Sequence, residues 1–148
     1  MRLIYMSLLA ALLLFNVQAQ AQGPVSIETK QPFEIYVTKL KSAISANKMG
    51  LVSEACATCG AKSIGVEIAG NRVLMVFNPH FAVRMLKASI EAGVEAPLRL
   101  YVTQNDDGTA RLSYHKASDV FAPYGLKALD EMAKELDVIL NKIAEDSL

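Results

Sequence analysis

Cys56-Ala57-Thr58-Cys59 is the stretch whose residue types and spacing point most directly to chemistry. A C-x-x-C pair that closes a strand and opens a helix can cycle between dithiol and disulfide, because helix N–H groups lower a thiol's pKa. The same pair can equally be a plain disulfide, or two inert thiols. The flanking sequence shows no thioredoxin-like strand–helix–strand frame with a facing proline. Gly60 stands where covalent haem attachment needs a histidine. Cys56 and Cys59 with His80 and His115 contain the donor types of a tetrahedral zinc site. The histidines lack the close pairing such sites use, so they read as solvated surface residues and no metal is expected.

A second candidate is a ligand site near Asn78, Arg99, Tyr101 and Tyr114. Asn78-Pro79 lies where a strand enters a helix, so free backbone N–H groups there suit an anion or carbonyl. Arg99 and Tyr101 alternate away from Leu98 and Leu100, so they share the opposite sheet face. In a pocket they would hold a carboxylate or phosphate. The plainer reading is that Asn78 and Pro79 only make the turn while Arg99 and Tyr101 cover a helix or a partner subunit. Glu91 and Glu95, beside Gly93, read as solvated. The chain has no Ser-His-Asp order, nucleophile elbow, phosphate-binding glycine loop or H-E-x-x-H, so no catalytic residue is assigned and an enzyme is not favoured.

These residues must be positioned by the elements that periodicity predicts. Residues 25–29 alternate as a short strand. Pro32 fits the first turn of a helix whose buried stripe is Phe33, Val37, Leu40 and Ile44, with Gly50 as its left-handed stop. A strand is expected over 51–57, a short helix over 61–68, and an interior strand over the apolar run 73–77. The next helix carries Phe81, Met85, Leu86 and Ile90 and stops near Gly93. Leu98, Leu100 and Val102, then Ala110, Leu112 and Tyr114, alternate on either side of Asn105-Asp106-Asp107-Gly108, a hairpin signal. Ser118 or Asp119 is a possible cap for the piece leading into the last helix. That helix has Leu126, Leu129, Met132, Leu136, Leu140 and Ile143 on one face. The order β-α-β-(α)-β-α-β-β-α predicts an α+β fold with a mixed sheet carrying helices on at least one face.

Arg2, an apolar run over 3–15 and Ala19-Gln20-Ala21 have the three parts of a secretory signal peptide. The expected organisation is a signal over 1–21 and one domain over 22–148, exported to the periplasm, where thiols tend to be oxidised. The run is shorter than the roughly 20 residues of a membrane span, so no stable membrane insertion is expected after cleavage. The 15 basic and 15 acidic residues balance, which gives no electrostatic footprint for nucleic acid.

The motifs Phe77-Asn78-Pro79, Met85-Leu86, Ala96-Pro97-Leu98-Arg99-Leu100-Tyr101-Val102, Asp107-Gly108 and Ser113-Tyr114, in this order, resemble the DUF302 family over most of the chain after the signal. The resemblance implies a small α+β domain with a curved mixed sheet that pairs into homodimers, and assigns no activity or cofactor. Many relatives have Leu-Leu-Pro-Cys where this chain has Glu95-Ala96-Pro97-Leu98, so a thiol role at that cysteine does not transfer. The Cys56/Cys59 pair is not a general feature of the family. The function expected is that of a non-catalytic periplasmic binding or accessory protein with a small-molecule or protein partner. The alternatives are a thiol redox protein or a metal-binding protein using Cys56 and Cys59.

Overall fold

A computed structural model describes residues 23–148; the expected signal peptide lies outside them. Five strands form one sheet in the order β1-β5-β4-β3-β2: β1 (Val25–Pro32), β2 (Gly50–Cys56), β3 (Asn71–Phe77), β4 (Leu98–Gln104) and β5 (Thr109–Tyr114). The helices are α1 (Phe33–Ala46), α2 (Ala57–Ser63), α3 (Pro79–Ala88), α4 (Ala117–Phe121) and α5 (Lys127–Asp146). The α+β class is as the sequence predicts. The mixed sheet is not: all four ladders are antiparallel. The alternation of strands and helices suggested parallel neighbours; instead the connections through α2 and α3 join antiparallel neighbours, and α1 links β1 and β2, which run the same way but lie at opposite edges of the sheet.

Strand alternation separates two faces. Leu74 and Val76 of β3, Leu100 and Val102 of β4, and Ala110, Leu112 and Tyr114 of β5 are buried. They form one core with Tyr36, Leu40 and Ile44 of α1 and with Leu129, Met132, Leu136, Leu140 and Ile143 of α5. Fully burying such a side chain stabilises the fold by about 1.5–3 kcal/mol, so this face holds the domain together. On the other face Glu28, Arg99, Tyr101 and Arg111 are exposed.

The hairpin between β4 and β5 turns as its residues demand. The Asn105 N–H donates to the Thr109 carbonyl, Asp107 accepts from the Thr109 N–H, and Gly108 takes a φ of +82°. Several predicted boundaries move. The left-handed residue after α1 is Lys48 (φ +58°), while Gly50 already belongs to β2. The helix expected over 61–68 begins at Ala57 and ends at Ser63. α3 ends at Ala88, and a 3₁₀ turn over Glu91–Glu95 follows. Leu86 and Ile90 were expected on a buried stripe, yet they are 47% and 77% exposed, and Met85 alone of α3 is buried. Neither Ser118 nor Asp119 caps α4. Asp137 of α5 accepts from the Ser118 N–H, a cap from across the fold that local sequence does not encode.

Close packing has one strict requirement. A Cβ on Gly70 would lie 2.6 Å from the ring of buried Phe33. The Arg72 guanidinium also lies over the Phe33 ring, 5.4 Å from its centre, and pairs with Glu34 and Glu54.

Candidate functional site

The hairpin register builds a site. Tyr101 pairs with Ser113, so two residues further out Arg99 stands across from His115. The 3₁₀ turn before β4 brings Glu95 to the same place, and α4 after β5 brings Val120. Glu95, Leu98, Arg99, His115 and Val120 line a recess of about 40 Å³. That is room for roughly three water molecules.

The recess holds charge of both signs. Among the described residues Arg99 makes no ion pair. Glu95 is half-buried rather than solvated, and its Oε1 accepts the Tyr124 hydroxyl at 3.0 Å. Burial first, and then Glu95 as acceptor, push the Tyr124 phenol above its ordinary pKa, so it remains a donor. Glu95 is thereby fixed from one side with its second oxygen left over. Leu98 and Val120 supply an aliphatic wall. A guanidinium and a carboxylate that do not neutralise each other can orient a small polar ligand.

Leu98 also borders a second cavity of about 30 Å³, whose wall includes Met49, Phe81, Met85, Phe121 and Met132. Leu98 therefore separates an apolar hollow under the sheet from the charged recess.

The structure distributes the candidates taken from the sequence. Arg99 and Tyr101 share the open sheet face as alternation predicts, and the Tyr101 hydroxyl accepts from Asn71. Asn78 lies at the apolar cavity instead. Its Oδ1 caps α3 by accepting from the His80 N–H at 2.9 Å, and its Nδ2 donates to the Lys48 carbonyl. The His80 N–H, one of those expected to receive an anion, is therefore already taken. Tyr114 points into the core, where its hydroxyl donates to Asn141. Asn78, Arg99, Tyr101 and Tyr114 are thus not one site. Glu95 and His115 are the partners that Arg99 has, and extending the hairpin register outward from its turn would have found His115.

The cysteines are bridged. Cys56, the last residue of β2, and Cys59 in the first turn of α2 form a disulfide with a Cα–Cα distance of 5.2 Å. The Cys56 sulfur also accepts from the Cys59 N–H, so it serves as the helix cap. Thr58 anchors this turn, accepting from the Asn71 N–H and donating to the Ala69 carbonyl. Cys59 is exposed, and α2 buries no residue. His80 and His115 are exposed and lie apart from the pair in the fold: His80 opens α3, and His115 follows β5. Among the described residues no three His, Cys, Asp or Glu side chains are grouped to hold a metal.

The model of the domain of unknown function DUF302 matches residues 25–146. The chain belongs to the DUF302 family. A crystal structure of an uncharacterized conserved DUF302 protein from Bacillus stearothermophilus superposes with a TM-score of 0.76 at 19% identity, covering 84% of this chain and 98% of that one. At that identity the likeness establishes the shared fold. No curated protein matches the chain. In this DUF302 domain the turn before β4, the end of β5 and α4 all contribute to the Arg99 recess, while the disulfide sits outside the core at the end of β2.

Proposed function

We propose that this DUF302 protein is an exported, non-catalytic binding protein that takes a small polar ligand at Arg99, Glu95 and His115. The observation that carries this reading is an unpaired Arg99 guanidinium in a recess shared with a carboxylate and an imidazole. Thermal-shift screening of small carboxylates, phosphate and amino acids tests it. At least one should raise the melting temperature of the wild type and not that of Arg99→Ala. An unchanged melting temperature across the whole panel overturns the reading.

Export to the periplasm rests on the signal-like pattern over 1–21 and is tested by cell fractionation with N-terminal sequencing. Recovery of the uncleaved chain in the cytoplasm would contradict it. Pairing into a homodimer is supported by the aliphatic side chains of Ile64, Val66 and Ile68, which are 77%, 47% and 45% exposed. Light scattering should give twice the chain mass. A redox role is the second reading. Its support is an accessible disulfide at the start of a helix, where N–H groups would stabilise a thiolate. A reduction potential below about −300 mV would mark the bridge as structural and end that reading.

A further inference from the structure

We propose that the ligand of the Arg99 recess is a small aliphatic α-amino acid in its zwitterionic form. This rests on the reading of the recess as a binding site and narrows it to a ligand class. Glu95, held by Tyr124, and Arg99 line the same recess and are not an ion pair. A simple anion would satisfy Arg99 and be repelled by Glu95; a simple amine would do the reverse. A molecule with an ammonium beside a carboxylate satisfies both. The Glu95 oxygen that does not accept from Tyr124 receives the ammonium, while Arg99 and His115 face the carboxylate. The α-substituent then falls against Leu98 and Val120, the two aliphatic members of the lining. The recess measures only about 40 Å³, so it holds part of the ligand: the substituent is no larger than a methyl or ethyl group, and the charged groups sit at the mouth of the recess. The boundary is Leu98, behind which lies the methionine-lined cavity. Methionines adapt readily to new contents. Shortening Leu98 therefore joins the two spaces and admits a longer side chain.

Titration calorimetry on the purified protein tests this with L-alanine, L-2-aminobutyrate, propionate, ethylamine and L-leucine. Alanine and aminobutyrate should bind at least about tenfold more tightly than propionate, which lacks the ammonium, and than ethylamine, which lacks the carboxylate; tenfold corresponds to about 1.4 kcal/mol. Arg99→Gln and Glu95→Gln should each remove that preference, and Glu95→Gln retains an acceptor for Tyr124. Leu98→Ala should gain L-leucine binding by a similar factor. Propionate binding as tightly as alanine, lost in Arg99→Gln and unchanged in Glu95→Gln, would overturn the zwitterion while leaving an anion site at Arg99. Binding that survives Arg99→Gln overturns both the ligand class and the site. Heat from none of the five probes overturns the amino-acid proposal, and the broader screen above then decides the binding function separately.

Discussion

Arg99 and Glu95 matter because they line one recess without pairing with each other, whereas the buried polar side chains of the core are committed to partners. The Tyr36 hydroxyl, for example, pairs with Ser147 Oγ at 3.0 Å, and Ser147 in turn donates to Ala144. Both groups are buried, so Tyr36→Phe should lower stability by about 1 kcal/mol, read from urea unfolding. The Cys56–Cys59 bridge closes a very short loop in a segment with no buried residue. Replacing both cysteines with serine should therefore cost at most about 2 kcal/mol, and the global unfolding transition should remain cooperative. Arg99 was recognisable in the sequence as a candidate because alternation puts it opposite Leu98 and Leu100. Glu95 was not, because its role depends on Tyr124, 29 residues away, reaching back to it.

At the scale of elements, the stripes of α1 and α5 and the alternating hairpin were readable because burial there follows a simple period. The failures have local causes. Lys48 takes the left-handed position two residues before the glycine that would suit it better. α2 starts on a cysteine cap, a residue outside the usual Ser, Thr, Asp and Asn set. Leu86 of α3 and Ile90 just beyond its end fit a helical period but face outward, since α3 meets the core through Met85 alone among its fully buried residues. The β2–β3 link also hides a constraint, because Gly70 matters only where Phe33 packs on it. Gly70→Ala should destabilise the fold by about 1–3 kcal/mol, since the ring is buried and cannot swing aside. Chemical denaturation of that variant, compared with Gly60→Ala, checks it: a Cβ on Gly60 meets nothing within 4 Å.

For the whole molecule, the same antiparallel sheet that buries its helix face leaves the other face to solvent, and the site forms where the hairpin's open end meets α4 and the 3₁₀ turn. Its stability should have a defined pH window. Glu28 is held below its ordinary value of 4.5 by hydrogen bonds from Asn105 and Arg111, Glu135 by Arg84, and Asp146 by Asn47 and Lys142. Depressed folded-state values favour the native state above the ordinary carboxylate range, and that contribution is lost as pH falls through the lowered values. Tyr36 and Tyr114 are raised above 10.0 by burial, so their contribution is complete below that pH and is lost as pH climbs through the raised values. The melting temperature should be flat near neutrality and fall on both sides, with the acid limb weakened by salt because those carboxylates are exposed. A midpoint that rose on acidification from neutrality would contradict these assignments.

The central claim is that small molecules bind between Glu95 and Val120 at the open end of the hairpin. Backbone amide NMR during titration with L-alanine tests it most directly. The account predicts saturable shifts concentrated at Glu95, Leu98, Arg99, His115 and Val120 in the wild type, and their loss in Arg99→Gln. Shifts confined to the disulfide turn around Cys56 and Cys59, or no shifts at all, would contradict it.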